Sequence, residues 1–457
     1  MGFNRRDMLR FGGSAFGHLA FAGMASQLVA EEKTIGGSAR GFASPTSPRK
    51  PHFPAKAKRV IFMFMQGGPS HVDTFDYKPE LKSLHGKTVG GKKGKMMASP
   101  WEFKPRGESG LMISDLFPQV GKHADEMCLI NSMHTDNPAH PIATVMAHTG
   151  ALNFVRPSMG SWVLYGLGTE NQDLPGFITI NPPGNLGGTQ NYGSAFLPAA
   201  YQGTRVNVGG EPIANIRGRK ELVRQRRHLD FIQSMNQDLV NRTSDESGIN
   251  GVVDSYELAF RMQSAVPELV DIANEPEATK ERYGINNKDT SNFGMQCLMA
   301  RRLSEAGVRF IEVATRGWDQ HNNLKTGLEK NCRSIDTPIA ALLSDLKDRG
   351  MLDETLIVWT GEFGRTPAEQ NNFGGRRHNN RGFTTWMAGG GVKGGIRYGK
   401  TDATGDTAVE NKVHTHDLHA TILHLLGLDH TRLTYRYSGR DFRLTDVYGN
   451  VVKDVVA

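Results

Sequence analysis

Residues 59–65 (Arg-Val-Ile-Phe-Met-Phe-Met) form a nearly unbroken apolar run that stops at Gln66-Gly67-Gly68. A run without polar alternation predicts a strand covered on both faces. Shorter runs of the same kind fall at 127–131, 177–180, 308–314, 356–360 and 383–388. Between them the apolar positions switch to helical spacing. This predicts helices at 117–124, at 142–148 before Thr149-Gly150, and at 295–305 before Gly307. Two more are expected at 334–349, with Ile339, Leu342, Leu343 and Leu346 on one face, and at 417–426 before Gly427. Strands alternating with helices predict an α/β fold, a mainly parallel sheet flanked by helices. Residues 219–275 break the alternation. Leu222, Ile232, Met235, Leu239 and the stretch 256–272 keep helical spacing with no strand between them, which predicts a helical insertion.

The chain has 457 residues, enough for one large domain at 58–457. Its formal charge of +7 is mild for that length, and no nucleic-acid-binding module is present in the sequence. The basic stretches 87–95 and 217–227 read either as solvated faces or as surfaces that attract anions. Three cysteines with no CxxC pair argue against a disulfide scaffold and against a thiolate zinc site. Arg5 and Arg6 precede a weakly apolar, Gly/Ala-rich run at 11–30. That pattern predicts a Tat-type signal peptide over 1–30 and therefore a periplasmic or extracellular protein. Residues 31–57, rich in Gly, Ser, Pro and Lys, are expected to be a flexible lead-in. No later stretch reaches the run of about 20 apolar residues that an integral membrane segment needs.

Candidate chemistry collects at strand ends, where open parallel sheets place their sites. Asp319 and His321 follow the run at 308–314, and two-residue spacing in extended chain puts both side chains on one side. Glu362 follows the run at 356–360, between Gly361 and Gly364, as a metal ligand, a base or a salt-bridge partner of Arg365. Arg365 reads as a two-toothed clamp for an oxyanion or as half of a structural ion pair. His378 lies in a polar Gly/Arg/Asn loop. His140 precedes the helix at 142–148, where an acid/base or oxyanion role is open beside plain loop hydrogen bonding. His414, His416 and His419 cluster before the last helix as reserve ligands or as packing. Ser132 and Thr135 have no visible base beside them, so no hydroxyl nucleophile stands out.

Four motifs extend this reading: Gln66-Gly-Gly-Pro-Ser-His-x-Asp-Thr, Trp318-Asp-x-His, Glu362-Phe-Gly-Arg-Thr-Pro and Asp417-Leu-His-Ala-Thr-Ile-Leu. With the order of elements around them, they resemble the domain-of-unknown-function 1501 family, within the alkaline phosphatase/sulfatase-like superfamily. The resemblance spans nearly everything after Arg59 and implies an alkaline-phosphatase-like fold. It also departs from the catalytic pattern. Gln66 stands where the first strand normally ends in a metal-binding Asp, with Asp73 the nearest replacement. Glu362-Phe363 replaces an Asp-His pair, and the nucleophile position falls near His140 or Asp136. The absence of Cys-x-Pro-x-Arg argues against a formylglycine sulfatase. The resemblance implies an exported, metal-dependent hydrolase of phosphate or sulfate esters, polysaccharide esters included. Asp319, His321, Glu362 and His378 would hold a divalent ion (Zn, Ca, Mg or Mn), with His140 as acid/base and Arg365 steadying the anion. The partner expected is an anionic small-molecule or glycan ester. The alternative is a non-catalytic binding or assembly protein on the same scaffold.

Overall fold

The first long strand, β1 (Arg59–Gln66), buries six successive residues, and the two faces go into different cores. Ile61, Met63 and Met65 pack into one apolar cluster; Val60, Phe62 and Phe64 pack into another. The computed structural model describes residues 45–182, 184–209, 212–213, 216, 222–240, 246–370 and 374–457. The expected signal at 1–30 and the first part of the lead-in lie outside the described residues.

Next along the chain come β2 (Met127–His134), α1 (His140–Thr149), α2 (Met159–Leu167), β3 (Phe177–Ile180) and β4 (Thr204–Val206). The insertion follows as α3 (Leu222–Val240) and α4 (Glu246–Val270). The core resumes with α5 (Ser291–Glu305), β5 (Phe310–Arg316), α6 (Leu324–Asp348) and β6 (Thr355–Thr360). A hairpin, β7 (Gly364–Glu369) and β8 (Arg376–Asn379), precedes β9 (Phe383–Ala388), β10 (Ile396–Tyr398), β11 (Val413–His414) and α7 (Thr415–Leu425).

Nine strands form the main sheet, in the order β10-β2-β9-β6-β1-β5-β3-β4, with β11 also against β2. β1, β3, β4, β5 and β6 pair in parallel, and β10 and β11 run parallel to β2. Within this sheet β9 runs antiparallel to both of its neighbours, β2 and β6. The expected mainly parallel sheet flanked by helices is therefore present. One face carries α5 and α6, whose Leu298, Leu303, Ile339 and Leu342 are fully buried against Ile61 and Met63. The other carries α2 and α7, whose Trp162, Leu418 and Ile422 meet Phe62 and Phe64. Burying a Leu or Ile side chain contributes roughly 1.5–3 kcal/mol, so this double coverage dominates stability.

α4 joins the first core through Met262, Val266 and Val270. The helical insertion therefore packs on the sheet's own helical layer. The part of the lead-in within the described residues is fastened rather than free. Arg49 N donates to Leu167 O at 2.8 Å, and Lys56 N and Ala57 N both donate to Leu425 O at 2.8 Å. Two helix C-termini thereby satisfy carbonyls that have no partner inside the helix. No helix among the described residues is long and apolar enough to cross a membrane.

Candidate metal centre

β1, β5 and β6 end side by side, and the segments leaving them carry most of the site. After β1 the chain turns at Gly67 and Gly68. A Cβ at Gly67 would lie 2.5 Å from Asp319 N, and its φ of +121° suits glycine. This close approach seats the Trp318–Asp319 backbone directly on the turn.

The arrangement brings together Asp319 and His321 from the segment after β5, His378 from β8 and His140 from the first turn of α1. One ligand atom from each lies within 4.8 Å of all the others. Three imidazole Nε2 atoms close on Asp319 Oδ1, from His321 at 2.9 Å, His140 at 3.2 Å and His378 at 3.3 Å. His321 Nε2 and His378 Nε2 are 2.8 Å apart. The far nitrogen of each ring is engaged by an oxygen. His140 Nδ1 meets Glu362 Oε1 at 2.6 Å, His321 Nδ1 meets Gln370 Oε1 at 2.5 Å, and His378 Nδ1 meets Pro138 O at 2.7 Å. Carboxylate, amide and peptide oxygens at these positions are acceptors, so each Nδ1 carries the proton and donates. Outward Nδ1–H groups fix the tautomer and aim the Nε2 lone pairs inward, as metal-ligating histidines do.

His140 Nε2 is buried and makes no hydrogen bond of acceptable geometry. Such an orphan inside a cluster of inward-facing nitrogens fits a cation. The Phe363 ring packs against His140 and His378, with centroids 4.8 and 4.7 Å away, and forms an apolar wall. Burial pulls His140 down, but the Asp319 and Glu362 carboxylates beside it outweigh that and lift the imidazole to about 9. Burial raises Asp319, yet the His140 and His378 rings and the Arg365 guanidinium beside it hold it well below the usual carboxylate range. Burial moves His321 down.

Two expected roles change. Glu362, read as a ligand, stands behind the cluster: it is fully buried, accepts the Gly67 N–H at 2.9 and 3.1 Å, and receives His140. His140, read as an acid/base, takes the place in the cluster expected for Glu362. Arg365 is not free to clamp an oxyanion. It is buried, its Nε donates to Gly68 O at 2.9 Å, and its Nη1 donates to Arg376 O at 3.3 Å. Nη2 donates to Asp319 Oδ1 at 2.6 Å, to Trp318 O at 3.2 Å and to Gly67 O. Asp73, the nearest replacement for a first-strand ligand, is locked in a buried bidentate pair with Arg376 at 2.7 and 3.0 Å. The reserve histidines serve packing. His416 and His419 bond the Gly150 and Ala147 carbonyls at the end of α1, and His414 caps α7. Gln370 and the Pro138 carbonyl were not foreseen, and nothing in the local sequence marks either.

A family model described as "Protein of unknown function (DUF1501)" matches residues 57–456. No curated protein gives a match. Among solved structures, the chain aligns with the lipoteichoic acid synthase LtaP from Listeria monocytogenes at TM-score 0.38 and 10% identity, over 87% of this chain and 78% of that one. It aligns with PsFucS1 sulfatase from Pseudoalteromonas sp. at 0.34 and 13%, over 83% and 68%. Alkaline phosphatase from the Antarctic bacterium TAB5 aligns at 0.35 and 11%, over 82% and 99%.

Proposed function

The chain belongs to the DUF1501 family, whose description names no activity, and we propose that it is an exported, metal-dependent hydrolase of phosphate or sulfate esters. One observation carries this reading: three Nε2 atoms and one carboxylate oxygen lie within 4.8 Å of one another, with every outer ring nitrogen bonded to an oxygen. Three imidazoles and a carboxylate suit zinc, iron, nickel or copper, and manganese to a lesser degree. Calcium and magnesium prefer oxygen shells, so they fit this donor set poorly.

The chemistry such an ion supplies is polarisation of an ester oxygen and acidification of a water molecule. The chain's own groups then have definite tasks. Asp319, with about half of its side chain exposed, marks the solvent side of the site where an ester can enter. Phe363 keeps water from the inner side of His140 and His378. Arg365, Asp319 and Glu362 formally leave the site with one negative charge, and a dication turns this into one positive charge, which favours an anionic ester. The motif resemblance points to phosphate and sulfate esters, polysaccharide esters among them. Export rests on the twin-arginine leader.

The alternative, a non-catalytic binding or assembly protein, has one observation in its favour. Four protein donors can fill a tetrahedral shell, as in structural sites, whereas catalytic sites keep a position open. Elemental analysis of protein expressed with added zinc, manganese or iron tests the metal premise, with about one equivalent expected. Cobalt-substituted protein then separates the two readings. An absorption spectrum that moves on adding phosphate or sulfate, with turnover of p-nitrophenyl phosphate or sulfate, supports the hydrolase. A metal-loaded protein with a fixed four-coordinate spectrum and no turnover supports the alternative. Absence of any bound ion defeats the hydrolase and favours the non-catalytic reading.

A further inference from the structure

Glu362 and Arg365 sit three residues apart, are both fully buried, and act on opposite sides of the same cluster. Glu362 receives the His140 Nδ1–H at 2.6 Å. Arg365 Nη2 holds Asp319 Oδ1 at 2.6 Å. Both also grip one glycine between them. Glu362 takes the Gly67 N–H, and Arg365 donates to the Gly67 carbonyl. Gly67 in turn supports the Asp319 backbone, since a Cβ there would meet Asp319 N at 2.5 Å.

We propose that Glu362 and Arg365 are positioning residues for the ion, Glu362 aiming His140 and Arg365 aiming Asp319, with the Gly67 peptide as their common anchor. This inference rests on the metal reading above and assigns neither residue to the ion's own coordination shell.

The physical reasoning is specific to these two partners. His140 and Asp319 come from elements far apart in sequence, the start of α1 and the segment after β5, so neither has a local constraint on its ring or carboxylate plane. A carboxylate behind a ligating histidine fixes its tautomer and raises its basicity. A guanidinium offers several donors in a rigid fork, so it can fix a carboxylate oxygen and four neighbouring carbonyls at once. With Oδ1 held by Arg365, the Asp319 carboxylate keeps one orientation toward the cluster. The opposite charges also limit the cost of burying each other, because isolated buried charges are strongly unfavourable.

The test is metal binding and cobalt absorption spectra on the full chain, for wild type, Glu362→Gln and Arg365→Lys. Glu362→Gln keeps the volume but removes the charge. Its amide oxygen still accepts, but the charge behind His140 is gone and an NH2 replaces the second oxygen that shares the Gly67 N–H. Arg365→Lys keeps the charge and loses the fork. Each is expected to weaken zinc or cobalt binding by about 10- to 100-fold and to change the cobalt bands, which report ligand geometry. A purely structural role would lower the melting temperature of the metal-free protein and leave the bands of the loaded protein unchanged. That result overturns the proposal, as does wild-type affinity in both variants. If Glu362→Gln does not fold, Glu362→Asp, which withdraws the carboxylate from His140, carries the same expectation. Failure of the wild type to bind any ion refutes the metal reading itself. A wild type that loads normally beside unaffected variants refutes only the positioning roles.

Discussion

His321 and His378 face each other through their Nε2 atoms at 2.8 Å, while their Nδ1 atoms bond Gln370 and Pro138 on the outside. Two inward lone pairs at that distance repel unless a proton or a cation lies between them. Removing one ring should therefore abolish ion retention rather than merely weaken it. His378→Ala is expected to lose more affinity than the roughly 10- to 100-fold that loss of a supporting partner costs. Isothermal titration with zinc checks this, and a variant within tenfold of wild type would refute the shared-ion arrangement.

Metal uptake should release a proton near neutral pH. The metal-free His140 sits at about 9 because Asp319 and Glu362 outweigh its burial. At pH 7 to 8 its Nε2 is therefore protonated, and the ion must displace that proton. Apparent affinity is expected to rise about tenfold per pH unit up to about 9 and then level off, as displacement of one proton requires. The metal-free protein should respond in the opposite sense. A raised histidine adds stability that is complete below its ordinary value of 6.5 and fades as pH climbs through about 9. Calorimetry in buffers of different ionisation heat measures the released proton directly.

Acid should destabilise the fold partly through His419. Burial in the packed face of α7 pushes it down to about 3, and its Nδ1 has no hydrogen-bond partner. Unfolding releases it to its ordinary value, 6.5. Its contribution is then intact above that value and is lost progressively as pH falls toward 3, at about 1.4 kcal/mol per pH unit. Urea unfolding of wild type and His419→Leu at pH 7, 6 and 5 should show a shallower acid slope in the variant. Parallel slopes would contradict the assignment.

Asp73 and Arg376 form a fully buried bidentate pair that ties the turn after β1 to the β7–β8 hairpin. Breaking it leaves one buried charge uncompensated. Asp73→Ala should cost about 3–5 kcal/mol, and Asp73→Ala with Arg376→Met should recover part of that loss. Because Arg376 N also donates to Gln320 O at 3.0 Å, beside His321, the single variant should also bind metal less tightly. Chemical denaturation and zinc titration on the same samples read both effects.

Most of the sheet was legible because its strands are covered on both faces and therefore read as apolar runs. The direction of β9 was not, since antiparallel pairing leaves no trace in a six-residue run. The start of α6 was set too late, at 334. Leu324, Leu328 and Cys332 continue the buried stripe one turn at a time, but charged residues between them mask it. The hairpin was missed for a different reason. β7 and β8 are polar and small, and their pairing, with His378 opposite Arg365, follows from burial of Arg365 rather than from any periodicity. At the site, two-residue spacing put Asp319 and His321 on one side, while His378 joined them only through the motif resemblance. It could not decide between His140 and Glu362, because which of two touching side chains faces inward depends on the backbone direction at two separate turns.

The donors of the cluster are drawn from α1, from the segment after β5 and from β8. A growing polypeptide cannot assemble them until the ribosome has passed position 378. Cation capture therefore waits for β8, and a product that stops before it lacks the means to retain one. The loaded ion would serve as a stamp that every element from α1 to β8 has been made and brought together.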